Sequence, residues 1–182
     1  MNTLIIHPKD ESTDVLKYIY SSENNYTVIN GQISKIDLYK LIQSHFRTIF
    51  IGHGTSRGLS NINMFKYKGE YIIDYKFKNV LERSNQNIYL WCYADRFVKN
   101  NALKGIFTGM FISDLQEAKR YNIANVKKID IDASNIFFSQ TLANCINKNN
   151  KMIYNKLILE YALFAKDNKI AKFNVQNIFI KH

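Results

Sequence analysis

His53 and Cys92 are the side chains of this sequence best suited to nucleophilic catalysis. His53 stands between Gly52 and Gly54, directly after the apolar run 48–51, and Cys92 directly follows the run NIYLW at 87–91. A thiol near its unperturbed pKa is mostly protonated at neutral pH. It becomes a good nucleophile when an imidazole or a backbone dipole favours the thiolate. Glycine on both sides of the histidine lets the chain turn sharply and leaves room for a substrate. The N–H of Gly54, together with that of Cys92 itself, suits a developing oxyanion. Taken singly, each residue is ordinary: a cysteine at a strand end is usually a small hydrophobe, and a histidine there is usually structural. The pairing carries the signal. Both residues follow strand-like runs, both fall at the same end of the expected sheet, and one helix with a hairpin separates them.

The hydropathy pattern provides the elements that would position the pair. Short apolar runs at 4–7, 26–29, 48–51, 87–91 and 105–113 alternate with stretches of helical period. Asp10, Ser12 or Thr13 caps a first helix carrying Val15, Leu16, Ile19 and Tyr20. Ser34 caps a second helix with Ile36, Leu38, Leu41 and Ile42 on its inner side. A polar loop is expected from 55 to about 63, then a hairpin within 63–74 turning at Lys68-Gly69, then a helix capped by Asp74. A short helix is expected near 95–101, and Ser113 or Asp114 caps the helix LQEAKRY. From about residue 122 the chain reads as more helical, with one helix opened by Asp132 or Ser134 and another over 152–166. The tail from 169 returns as a strand or covers the sheet edge. The expected fold is therefore α/β, a three-layer α/β/α sandwich around a mostly parallel sheet, in a single domain over 1–182. In such folds reactive residues collect outside the carboxyl ends of the strands. Those ends carry His7, Asn30, His53, Cys92 and Ser113.

Composition narrows the function classes. The chain has 182 residues, 46% of them apolar, with one proline and seven glycines, which argues for one folded core without linkers. Its apolar runs are too short to cross a bilayer, and the N-terminal residues lack a signal-peptide pattern. A cytoplasmic location without membrane association is expected. Two cysteines with no CxxC spacing point to free thiols, with no metal and no cofactor. Neither GxGxxG nor GxxxxGK[ST] occurs, and GHGTSRG lacks the P-loop lysine. The net charge of +10 admits a nucleic-acid partner. The Lys-rich C-terminal third and the alternations Phe65-Lys66-Tyr67-Lys68 and Tyr75-Lys76-Phe77-Lys78 would form the contact surface. That reading ranks behind a bland one, because the abundance of Asn, Lys, Ile and Tyr is the bias of an AT-rich genome.

The blocks TIFIGHG and NIYLWCYAD resemble the clan CD cysteine peptidases: caspases, metacaspases, separase, gingipain, clostripain and the bacterial CHAT proteases. Those proteins share an apolar run ending in His-Gly and a second ending at the nucleophilic Cys. The resemblance spans residues 4–121 in element order. It implies a caspase-like fold and endopeptidase activity on a peptide or protein substrate. His53 would be the general base and Cys92 the nucleophile, with the amides of Gly54 and Cys92 as the oxyanion hole. GIFTGMFIS would be the next strand, so Ser113 and Asp114 would flank the substrate cleft. Trp91 before Cys92, and Tyr93-Ala94-Asp95 after it, depart from the small residues common in that block. A tryptophan there either packs inward or narrows the cleft. The chain is also similar to small bacterial proteins with blocks of the type GHG, WCxAD and GMFIS, a likeness that implies no activity. For the substrate pocket, Asp10, Asp95 and Asp114 are the acidic candidates, and Lys9, Arg57 and Arg96 the basic ones. Asp114 also reads as a helix cap, so Asp95 is favoured, which tilts the pocket toward a basic substrate residue. The alternatives are a catalytically inert protein-binding module on the same fold and the basic nucleic-acid binder.

Overall fold

A computed structural model describes residues 2–21, 25–60 and 71–182. The chain begins with β1 (Thr3–Ile6), a short 3-10 helix (Asp14–Ile19), β2 (Thr27–Ile29), α1 (Lys35–Ser44) and β3 (Arg47–Ile51). A small antiparallel sheet follows, made of β4 (Gly54–Thr55), β5 (Gly58–Ser60) and β6 (Tyr71–Ile73). A 3-10 turn (Tyr75–Phe77) leads into α2 (Lys78–Leu81), β7 (Ile88–Leu90), α3 (Ala94–Asn100) and β8 (Gly105–Thr108). The last third comprises α4 (Leu115–Arg120), α5 (Lys128–Ala143), α6 (Asn150–Phe164), α7 (Lys169–Val175) and β9 (Ile178–Lys181).

The main sheet has the order β2-β1-β3-β7-β8-β9. Its first five strands are parallel, and β9 runs antiparallel to β8. Parallel strands need crossovers, and the crossover helices bury both faces of the sheet. Side-chain alternation divides the core accordingly. Ile5, Ile49, Ile51, Ile88, Leu90 and Ile106 pack against α5, α6 and the first 3-10 helix. Leu4, Ile6, Phe50 and Tyr89 face α1, α2 and α3. The result is a mixed α/β fold in three layers. Each fully buried Ile or Leu contributes about 1.5–3 kcal/mol relative to exposure, which is why these runs lack polar alternation.

Several expectations are corrected. The first helix is a 3-10 helix over Asp14–Ile19 with Leu16 and Ile19 buried, and Tyr20 lies just past its end. Ile36 is 70% exposed, while Leu38 and Ile42 face inward. Within the expected loop, Gly54–Thr55 and Gly58–Ser60 are strands joined by a tight turn; residues 61–63 and the expected turn at Lys68-Gly69 lie outside the described residues. The run 105–113 is a strand only to Thr108: Gly109 N–H still donates to Asn177 O in the β8–β9 register, but its O accepts from Tyr93 N, and both backbone groups of Ile112 bond the Asn174 side chain. α5 opens at Lys128 instead of Asp132 or Ser134, since the Asp130 carboxylate accepts the Lys127 N–H at 2.8 Å. The tail forms both a helix and the closing strand. At the amino end of β3, the fully buried Arg47 guanidinium donates to the carbonyls of Gln86, Ile146 and Lys148, pinning the α5–α6 connection to the sheet. Burial lowers its pKa to about 10, which leaves it charged. Among the described residues no helix is long and apolar enough to cross a membrane.

Candidate active site

β3 and β7 are neighbours, with Ile51 opposite Leu90, and Gly52 N donates to Leu90 O at 3.1 Å. The chain therefore leaves both strands side by side, as Gly52-His53 and Trp91-Cys92. Gly52 has φ +142, a backbone state that disfavours any side chain. His53 and Cys92 line the same open cavity of about 700 Å³, walled also by Gly54, Ser60, Asp114 and Glu117.

His53 is held from the loop after β1. Its Nε2 lies 2.7 Å from Ser12 Oγ and 3.3 Å from Asp10 Oδ1. Ser12 Oγ donates its one hydrogen to Asp10 Oδ1 at 2.6 Å, and Ser12 N donates to the same oxygen. A hydroxyl that has given its hydrogen to a carboxylate can only accept from the ring, so Nε2 carries the proton of the neutral imidazole. The lone pair then sits on Nδ1, which has no hydrogen-bond partner among the described residues. Burial pushes the Asp10 carboxyl up. The bonds from Ser12 and the charge and hydrogen bond of His53 outweigh it, leaving Asp10 below its ordinary value.

Gly54 begins β4 against the Trp91 ring: a Cβ there would stand 2.1 Å from Trp91 Cδ1 and 2.7 Å from Gly58 O. Ser60 N donates to His53 O at 2.8 Å, so antiparallel alternation turns the Gly54 N–H away from β5. The Cys92 N–H has no acceptor among the described residues. Trp91 is 1% exposed, packed among Phe50, Tyr89 and Phe97, with Nε1 donating to Thr55 O. Of the two roles open to it, it takes the inward one.

Cys92 has a different setting. Its Sγ lies 3.5 Å from Phe111 O and 3.7 Å from Glu117 Oε1, both acceptors for the thiol hydrogen. Burial, then the negative charge of Glu117, push the thiol up to about 12. No hydrogen bond joins it to His53 among the described residues. Tyr93, the next residue, has φ +67, a left-handed state that costs a non-glycine residue about 1–2 kcal/mol. Its ring lies under the Arg96 guanidinium at 4.8 Å, and its hydroxyl meets that of Tyr121 at 2.7 Å.

No family model, curated protein or solved structure matches the chain.

The remaining wall comes from the segment after β8. Asp114 caps α4 by accepting Glu117 N at 2.9 Å, and it lines the cavity. Ser113 does not line this cavity but a small separate pocket it shares with His53 and Cys92, and its N–H and Oγ both donate to Glu117 Oε2. Asp95 is not part of the wall: it sits in the first turn of α3, with Oδ1 buried and without a partner among the described residues. Glu117 was not among the expected site residues, although Asp114 followed three residues later by Glu is a capping-box pattern legible in the sequence. The segment is tied to the C-terminal part of the chain. Asn174 Oδ1 accepts Ile112 N at 2.7 Å, its Nδ2 donates to Ile112 O, and Gly109 N donates to Asn177 O at 2.8 Å.

The other expected reactive positions are structural or elsewhere. His7, at the end of β1, is buried between Tyr20 OH and Thr13 Oγ1, and burial lowers its pKa to about 4. Asn30 follows β2, away from the cavity wall. Cys145 is buried in the core on α5's side of the sheet. Tyr75 is exposed and Phe77 buried, so that aromatic–lysine alternation is the edge of a turn rather than a stacking platform; its counterpart at 65–68 lies outside the described residues. Among the described residues no three His, Cys, Asp or Glu side chains are grouped to hold a metal ion.

Proposed function

We propose that this chain is a caspase-like cysteine endopeptidase acting through a dyad of Cys92 and His53. The observation that carries the reading is the shared cavity at the ends of two adjacent parallel strands, with His53 anchored through Nε2 and its Nδ1 lone pair unclaimed among the described residues. The step requires the thiol to rotate away from Phe111 O and Glu117 into the cavity it shares with His53. His53 takes the thiol proton as the sulfur bonds to the scissile carbonyl carbon. The oxyanion receives the N–H groups of Cys92 and Gly54. The imidazolium then returns the proton to the departing amine, and water, deprotonated by His53, hydrolyses the thioester to release the acid. Asp10 and Ser12 are positioning residues that fix the tautomer.

The strained φ of Tyr93 supports the same reading, since such backbone states collect at functional sites. The test is hydrolysis of a fluorogenic peptide panel by the full chain. Cys92→Ala is expected to lower kcat/KM by about 10⁴-fold or more with the fold intact by circular dichroism. Iodoacetamide labelling Cys92 no faster than Cys145 in the native protein would remove the basis for the proposal.

A second reading, an inert protein-binding module, is favoured by one observation: the thiol near 12 beside a carboxylate. It requires that no peptide in the panel is cut while the cavity still binds one.

A further inference from the structure

We propose that the cavity beside Cys92 takes a cationic side chain of a peptide, so that the cut falls after Arg or Lys. The chemistry rests on the dyad reading; the binding does not.

The cavity inverts the charge of the molecule around it. The chain carries +10 overall, yet the lining holds three carboxylates, Asp10, Asp114 and Glu117, against one cation, Arg120. Their arrangement is directional. Asp10 comes from the loop after β1, and Asp114 and Glu117 come from α4 on the other wall, so negative charge converges from two sides. Asp10 and Asp114 are half-buried and Glu117 is 8% exposed, whereas Arg120 is exposed at the rim.

The carboxylates retain acceptor capacity. Asp10 uses Oδ1 for Ser12 and His53, and Asp114 uses Oδ1 for Glu117 N. Neither Oδ2 has a partner among the described residues. A second, independent feature points to a polar guest. Ser60 is 4% exposed and lines the cavity, and its Oγ has no hydrogen-bond partner among the described residues. A buried hydroxyl left unpaired is costly, and an N–H donor arriving in the cavity would satisfy it. Tyr93, whose ring already holds the Arg96 guanidinium at 4.8 Å, shows that an aromatic face in this wall takes a guanidinium. An acidic guest would meet Asp10, Asp114 and Glu117, with Arg120 alone to compensate.

The experiment uses the full chain with Cys92→Ala, so that binding is measured without turnover. Fluorescence polarisation compares peptides identical except for a last residue of Arg, Lys, citrulline or Asp; agmatine competition reports on a free small guanidinium. Arg and Lys peptides are expected to bind about tenfold or more tightly than citrulline, the gain typical of a charge-assisted hydrogen bond, and the Asp peptide weakest. Adding Asp114→Asn, which keeps a good helix cap, is expected to weaken the Arg peptide about tenfold and leave citrulline unchanged. Citrulline matching Arg, or Asp binding as well as Arg, overturns the proposal. Agmatine binding without Arg-peptide binding overturns its peptide part. Binding of the Arg peptide with no cleavage by the unmodified chain removes the peptidase reading and leaves this one standing. Cleavage only after neutral or acidic residues does the reverse.

Discussion

His53 and Cys92 occupy equivalent places on neighbouring strands, yet their surroundings differ. His53 is half-exposed and tied by Ser12 and Asp10, a carboxylate and a hydroxyl that define which nitrogen holds its proton. Cys92 lies against a carbonyl and a carboxylate that both accept hydrogen, in surroundings dry enough to push the thiol to about 12. The imidazole keeps an Nδ1 lone pair with no partner among the described residues, and the thiol is held in its protonated form. Position in the sheet thus brings the two side chains to one cavity, while hydrogen bonding fixes the tautomer of one, and burial with a carboxylate keeps the other protonated.

The packing that separates the two halves offers the largest test. Gly54→Ala would drive a Cβ into Trp91 and the Gly58 carbonyl and should destabilise the fold by about 3 kcal/mol, read as the urea midpoint. Gly31→Ala, with nothing within 4 Å, is the control that should change little. His7 extends the comparison to the next strand. Its native pKa near 4 lies below the unfolded value of 6.5, so the unfolded chain binds the proton first as pH falls. Stability should drop by about 3 kcal/mol between pH 6.5 and 4, at about 1.4 kcal/mol per pH unit, and then level off. His7→Gln should flatten that window in pH-dependent urea titrations. Glu117→Gln removes the charge facing the thiol but keeps an acceptor for Ser113. Alkylation of Cys92 at pH 8 should quicken about tenfold, with the thiol still above its ordinary value because burial persists. An unchanged rate would mean that burial alone holds the proton. Asp10→Asn has the smallest effect. The Asp10 carboxyl sits below its ordinary value, so its stabilisation is present above the unfolded pKa and is lost as pH falls through the native one. For a group this exposed, screening keeps that below about 0.5 kcal/mol in thermal melts at pH 7.

The parallel strands were legible because residues buried on both faces cannot alternate with polar ones, as TIFI before His53 and IYL before Cys92 illustrate. Their adjacency followed from element order. The end of β8 was not legible. Phe107 to Ile112 is continuously apolar apart from Thr108 and Gly109, and past Thr108 the backbone bonds go instead to Tyr93 N and to the Asn174 side chain, 62 residues beyond Ile112. Asp10 and Ser12 read as helix-cap residues and instead hold a histidine across the sheet, a long-range pairing that local propensity does not encode. Glu117 stood in a recognisable capping pattern, but its approach to Cys92 depends on how α4 docks. Arg47 shows the same limit: a charged residue at a strand start reads as an exposed end, and only the carbonyls of a distant loop account for its burial.

The tether from Asn174 and Asn177 to residues 109–112 has a bearing on biosynthesis. The wall carrying Asp114 and Glu117 is anchored by amides that a ribosome delivers some 60 residues after that wall itself, at roughly 5–20 residues per second. Until α7 and β9 emerge, the growing polypeptide has both reactive side chains but no finished enclosure around them. Completion of the pocket is therefore timed by translation.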